Sequence, residues 1–340
     1  MAIVTLNRVR YAGLASCVPR RQLSNLLDCP PEQRAERQRL VRNIGIEHRR
    51  IAPAWQCFSD LAVEAAQALI GQLQWRLEDI DALIVVTQSG DYIAPATAVI
   101  LQDRLGLPHS TVAFDVNLGC SAYPFALHVL GSMISAGGIR KGLLLIGDRC
   151  ATLDNPIFGD AATATALEFD SAAPPMHFDL NSDGSGFRAI MLPVGGHREP
   201  TAIHHLLAKG SACDPRALIL DGNAVLGFAT QRVPPAVEAM LAHAGLTREQ
   251  VDYFVFHQAN RMINETLRCK LQLPADKVPS SLRDFGNTSS ASVPLTLTLC
   301  LRERLQTPAR LLLCGFGIGL SWGTCVVDVA DAVFPELVQA

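Results

Sequence analysis

Cys120 sits where a thiol can become reactive. Phe114 to Val116 reads as a buried strand and Asn117 to Gly119 as a tight turn, and Leu127, Leu130 and Ile134 then follow helical spacing through Ser135. The cysteine therefore falls in the first turn of a helix, where free backbone N–H groups and the positive end of the dipole favour an anion. Such a thiol is expected to have a lowered pKa and to act as a nucleophile. A small cysteine among apolar neighbours also fits an inert core position. Two further stretches offer polar partners. His257 follows the apolar strand Val251 to Phe256, at the carboxyl end where α/β sheets present chemistry. Asn287 follows Gly286 in a turn signal, ahead of a Thr-Ser-Ser run able to cap a helix. Taken singly, these fit a core histidine and a turn asparagine equally well. From Gly315 to Gly323 four glycines lie between two strands, a pattern that frees backbone N–H groups to face a cavity or lets strands pack closely.

The elements that must position these groups repeat. Asp81 to Val86, Val112 to Val116 and Gly142 to Asp148 read as buried strands in the first part of the chain; Val251 to Phe256, Leu311 to Cys314 and Ser321 to Val329 do so in the second. Val4 to Leu14 reads as one strand. Helices are expected at Arg20 to Leu27, Glu32 to Arg42, Ser59 to Leu73, Thr97 to Leu105, Pro234 to Gly245, Arg261 to Leu271 and Ser290 to Leu305. Ser171 to Gly196, rich in Gly, Pro and Asp, reads as strands and loops. Ile80 to Val85 matches Val251 to Phe256, Leu143 to Gly147 matches Leu311 to Gly315, and the Cys120 turn with its helix takes the place of Asn287 with its own. This spacing predicts a duplicated α/β unit, divided as residues 1–172 with the cysteine and 173–340 with the histidine and asparagine.

Bulk properties narrow the function classes. The 340 residues, 49% of them hydrophobic, can bury a large core. A net charge of −3 with no long basic run argues against nucleic acid as a partner. The ten cysteines are scattered without a C-x-x-C pair, which reads as reduced thiols and gives zinc no site. No signal-like N-terminal stretch and no span of membrane length is present in the sequence, so a cytoplasmic protein without a membrane partner is expected.

Taken together, Gly119-Cys120-Ser121-Ala122, His257-Gln258-Ala259-Asn260, Phe285 to Ser292 and Gly315 to Gly323 resemble the β-ketoacyl-[acyl-carrier-protein] synthase III family, as do Phe158-Gly159-Asp160 and Leu220-Asp221-Gly222. The resemblance runs nearly end to end in the same order. It implies a thiolase-like duplicated fold of five layers, αβαβα, in a homodimer, and by position a catalytic set of Cys120, His257 and Asn287. In that chemistry the Cys120 sulfur takes an acyl group from a thioester, and backbone N–H groups of Cys120 and of the Gly317-Ile318 turn receive the oxyanion. A malonyl thioester on acyl carrier protein then loses CO₂, with neutral His257 and Asn287 donating to its thioester oxygen, and the enolate yields a 3-oxoacyl thioester. The substrates are acyl-CoA or acyl-carrier-protein thioesters, and no metal or other cofactor is called for. Two other activities fit the same residues: transfer from acyl-Cys120 to a hydroxyl or amine, with His257 as base, and a non-catalytic partner subunit of another synthase.

The chain also departs from the family. Arg39 and Asn43 stand where a tryptophan and an arginine help to hold coenzyme A, and Asp154 to Ile157 replaces a stretch ahead of Phe158. Loss of a stacking surface and a guanidinium should weaken nucleotide binding, which points to a carrier-borne or unusual acyl donor and a specialised pathway. Arg261, Arg268 and Lys270 are candidates for docking an acidic carrier protein. Ala94, small where the family's pocket is bulky, is the candidate for admitting a longer or branched acyl chain, partly across the dimer interface.

Overall fold

The computed structural model describes residues 3–199 and 218–340. In chain order its main elements are β1 (Ile3–Leu6), β2 (Val9–Val18), α1 (Arg34–Ile44), α2 (Phe58–Leu73), β3 (Ala82–Val86), α3 (Thr97–Arg104), β4 (Val112–Val116), α4 (Ala122–Ser135), β5 (Lys141–Asp148), β6 (Ala161–Phe169) and β7 (Met176–Ser182). After these come α5 (Gly222–Ala244), β8 (Tyr253–Phe256), α6 (Arg261–Lys270), α7 (Ser292–Leu301), β9 (Ala309–Gly317), β10 (Ser321–Val329) and β11 (Val338–Gln339). Two mixed sheets result, ordered β11-β2-β6-β5-β3-β4 and β1-β7-β10-β9-β8.

Strand by strand, the side chains alternate between two apolar layers, as period 2 demands. Ile84, Leu144 and Ile146 of the first sheet and Val255, Leu311 and Leu313 of the second face one shared core filled by α4 and α7. Their neighbours turn outward: Leu83, Val85, Leu143 and Leu145 pack under α2 and α3, and Phe254, Phe256 and Leu312 under α5 and α6. The layers are therefore helices, sheet, helices, sheet, helices. Burying each such side chain is worth about 1.5–3 kcal/mol, so near-continuous apolar strands are the natural sequence for a sheet covered on both faces. Both central helices carry proline in the first turn, Pro124 and Pro294, where the missing N–H has no intrahelical partner to lose.

Several sequence expectations change. The stretch from Val4 to Leu14 is two strands, β1 in the second sheet and β2 in the first. Arg8, at φ 64, breaks the extended run between them. Arg20 to Leu27 is not helical: Gln22–Ser24 pairs antiparallel with His48–Arg50, and the Ser24 hydroxyl accepts from the N–H groups of Leu26 and Leu27. That local bonding competes with a helix. α5 begins at Gly222, with Asp221 accepting from Asn223 and Ala224 at its N-cap, and continues through Pro234 and Pro235. α7 stops at Leu301, flanked by 3₁₀ turns at Ser289–Ala291 and Arg304–Gln306. β6, small and Thr/Ala-rich, gave no apolar-run signal, yet it is buried between β2 and β5. The expected division at residue 172 falls between β6 and β7, while β1 and β11 each lie in the other part's sheet.

Candidate active site

Cys120, His257 and Asn287 arrive at one place on different elements. Cys120 lies just ahead of α4, whose N-cap is Ser121; it precedes the first helical turn instead of lying within it. His257 directly follows β8, its N–H donating to the Cys314 carbonyl at 2.7 Å. Asn287 follows the turn at Gly286, and its N–H donates to the Ile157 carbonyl at 2.9 Å.

Ser289 joins them. Its backbone N–H donates to Asn287 Oδ1 at 2.9 Å, its hydroxyl donates toward the Cys120 sulfur, and its carbonyl faces the His257 imidazole. Ser289 takes a left-handed φ of 50°, a conformation that costs a non-glycine residue on the order of 1–2 kcal/mol and here is imposed by these contacts. His257 is 2% exposed; its Nδ1 meets the Ser292 hydroxyl at 2.6 Å, and its ring sits edge-on to Phe316 at 5.4 Å.

The glycine loop closes the other side of the sulfur. A Cβ on Gly317 would lie 2.6 Å from Cys120 Cβ and 3.1 Å from Sγ, and the backbone there has φ +153°. Glycine alone permits that approach. The Ile318 N–H, one residue on, is directed at the Cys120 sulfur, as is the N–H of Cys120 itself. The Gly317-Ile318 turn thus stands beside the cysteine.

Electrostatics overturn one expectation. The Cys120 thiol is pushed up to about 11, not down: burial is the main cause, the nearby Asp148 carboxylate adds to it, and the N–H groups of Ile318 and Cys120 and the Ser289 hydroxyl only partly offset them. Burial likewise lowers His257 to about 3, so its imidazole is neutral across the physiological range. A resting pair of neutral thiol and neutral imidazole follows.

Next to this cluster lies an open cavity of about 640 Å³, lined by Gln88, Tyr92, Ile93, Asn117, Phe187 and Leu192 among others, and reaching the Ile318-Gly319 turn. Tyr92 and Ile93 line it but Ala94 does not; Ala94 is exposed beyond the lining. Of the docking candidates, Arg261 is exposed and packs on Gly45 at the end of α1. The other two are engaged within the protein. Arg268 pairs with Glu265 and donates to the Leu273 carbonyl. Lys270 donates at 3.2 Å to the Thr230 carbonyl, which Pro234, lacking an N–H, cannot bond. Arg39 and Asn43 are exposed on α1. Among the described residues no group of three or more His, Cys, Asp or Glu side chains gathers as a metal site, no helix is long and apolar enough to cross a membrane, and the cysteines are free; Cys213 lies outside them.

Sequence reasoning missed Ser289, Ser292 and Asp148. The first two were visible only as a capping run. Asp148 carried a clearer signal, a charge ending an otherwise apolar strand.

A mixed five-layer fold with a cysteine at the mouth of a central helix defines the thiolase-like acyltransferases. The solved structures agree. A 3-oxoacyl-(acyl-carrier protein) synthase from Burkholderia xenovorans LB400 superposes with a TM-score of 0.94 at 35% identity, covering 100% of this chain and 99% of that one. The priming β-ketosynthase of the R1128 polyketide pathway matches with a TM-score of 0.81 at 27% identity, over 96% and 97% of the two chains. In sequence, β-ketoacyl-[acyl-carrier-protein] synthase III 2 of Halalkalibacterium halodurans is 33% identical, covering 94% of this chain and 96% of its own. The family profiles for 3-oxoacyl-[acyl-carrier-protein] synthase III and for its C-terminal part match residues 114–184 and 241–329. The chain belongs to the 3-oxoacyl-[acyl-carrier-protein] synthase III family.

Proposed function

We propose that this chain condenses an acyl group held on Cys120 with a malonyl group presented on acyl carrier protein. The observation that carries this reading is Ser289, whose N–H bonds Asn287 Oδ1 at 2.9 Å and whose hydroxyl and carbonyl are directed at Cys120 and His257. The Cys120 sulfur attacks the acyl thioester carbonyl while Ile318 and Cys120 N–H groups face the developing oxyanion. The departing thiol leaves with the proton that Cys120 gives up, because an imidazole as weakly basic as His257 is a poor acceptor. The malonyl thioester then loses CO₂ and negative charge gathers on its thioester oxygen. In the tautomer in which Ser292 donates to Nδ1, the His257 proton resides on Nε2 and joins the Asn287 amide as a neutral donor to that oxygen. The enolate carbon bonds to the acyl carbon, the C–S bond to Cys120 breaks, and the freed sulfur takes a proton from solvent.

The same reading makes the acyl donor carrier-borne. The exposed α1 face presents Arg39 and Asn43 in place of a stacking ring and its arginine, and Arg261 stands at its end. The apolar rim of the cavity, with Ile93 98% and Tyr92 68% exposed, supports a homodimer that covers it. No cofactor enters this chemistry, and a cytoplasmic location follows from the carrier-protein substrates. The test is product analysis with malonyl-acyl carrier protein. A 3-oxoacyl product and released CO₂ are expected; acyl transfer to an alcohol or amine without CO₂ would overturn the condensation, and faster acylation from acyl-CoA than from acyl-carrier protein would overturn the donor assignment.

A further inference from the structure

Asp148 ends β5 with 3% exposure, and its carboxylate receives five hydrogen bonds. One oxygen accepts from Thr87 Oγ1 at 3.1 Å, Gln88 N at 2.7 Å and Ser89 Oγ at 3.4 Å. The other accepts from Ser290 N at 3.2 Å and Ser290 Oγ at 2.7 Å. All five donors are neutral. Burying a carboxylate on neutral donors is costly, and the fold does not ask for it: matching Gly147 to Gly315 puts apolar Phe316 at the corresponding place in the second half. Phe316 leans on His257, which directly follows the strand beside it, without any charge.

We propose that Asp148 is a positioning residue for acyl transfer, its two oxygens strapping the Thr87-Ser89 loop of one half to the Ser289-Ala291 turn of the other. The strap fixes the strained Ser289, the residue whose hydroxyl and carbonyl are directed at Cys120 and His257. The proposal rests on Cys120 as nucleophile. The carboxylate has a second effect through its charge, since it is among the causes that hold the Cys120 thiol protonated at rest. The titratable groups coupled to that thiol in the described residues are Asp148, which ends β5, and Cys150, two residues beyond it; His257, just past β8, is neutral. One carboxylate thereby orders the site while restraining the thiol from stray alkylation.

Asp148→Asn in the full chain tests this by two readouts of opposite sign. Alkylation of Cys120 by iodoacetamide, mapped on its own peptide across pH, should shift its midpoint down by about one unit or more. Single-turnover acylation of Cys120 by an acyl-carrier thioester should slow by about tenfold or more. Ser290→Ala, which keeps the carboxylate, should slow acylation without lowering the midpoint. An unmoved midpoint with acylation within twofold of wild type overturns the proposal, as does a loss of thermal stability alone. If Asp148→Asn does not fold, Thr87→Val and Ser290→Ala, one donor from each half, carry the test: each should slow acylation about threefold or more, and no change in either is the overturning result. Absence of acyl-Cys120 in the wild type instead removes the nucleophile reading, and the strap with it.

Discussion

The two halves share one plan and diverge where chemistry is placed. Taken in chain order, β2, β3, β4, β5 and β6 of the first sheet correspond to β7, β8, β9 and β10 of the second, with the counterpart of β4 absent among the described residues. Each central parallel pair is pinned by the same device. Asp81 Oδ2 accepts from the N–H groups of Arg140, just ahead of β5, and Lys141, its first residue, and Asp252 Oδ2 accepts from Arg310 N in β9. The strand ends then differ: the first half has buried Val86 and charged Asp148, the second His257 and apolar Phe316. Before the central helices stand Cys120 in one half and Asn287 with its Ser289 turn in the other. The two strand-and-helix mouths face a common core, so the nucleophile proposed at one and the neutral donors proposed at the other need not compromise the packing of either.

The largest effect is expected from Cys120→Ala, which should lower condensation by about 10⁴-fold or more and leave no acyl-enzyme in the mass spectrum; a persisting acylated species would move the nucleophile elsewhere. Changes on the other mouth should separate the steps. His257→Ala and Asn287→Ala are each expected to cost about 10²–10³-fold in condensation while acyl-Cys120 still forms, as seen by single-turnover labelling beside product assay. In the shared core the halves should behave alike: Leu144→Ala and Leu313→Ala each destabilise by about 2–5 kcal/mol in denaturant unfolding, and a much smaller cost in one would mark that sheet as the looser.

Titration tests the electrostatic difference. His257, lowered to about 3, should show no ionisation between pH 5 and 8 in its ring carbon or nitrogen NMR shifts. Its depressed pKa means that the unfolded chain binds the extra proton first, so stability contributed by neutral His257 is lost as pH falls from near 6.5 toward 3. Cys120 runs the other way: raised from 9.0 to about 11, the buried thiol loses stability to the unfolded thiolate as pH rises through that window. A His257 titration near 6.5 would contradict the burial argument. The smallest expected effect is on the paired carboxylates, where Asp81→Ala, losing two N–H partners, should cost about 1 kcal/mol and exposed Asp252→Ala, losing one, less.

Much of this was readable from residue order because buried parallel strands are runs of apolar residues and a repeat aligns them. Ile84, Leu144, Val255 and Leu311 could be placed without coordinates, and so could the turns at Gly119 and Gly286. The failures have local causes. Arg8 and the Ser24 hydroxyl bend the chain where pattern alone continues it, and α5 runs on through Pro234 and Pro235, with Lys270 donating to the Thr230 carbonyl that Pro234 leaves free. Lys270, read as a docking cation, also makes this contact, which residue order does not reveal.

Residue types and spacing by themselves determined the layered α/β class, the repeat, and which cysteine, histidine and asparagine stand at element ends, since local geometry follows from periodicity and turn chemistry. The ionisation of those groups and their common neighbour were decided only in three dimensions. The dipole at a helix start favours a thiolate, but desolvation and the Asp148 carboxylate outweigh it, and both arise from atoms far apart in the chain.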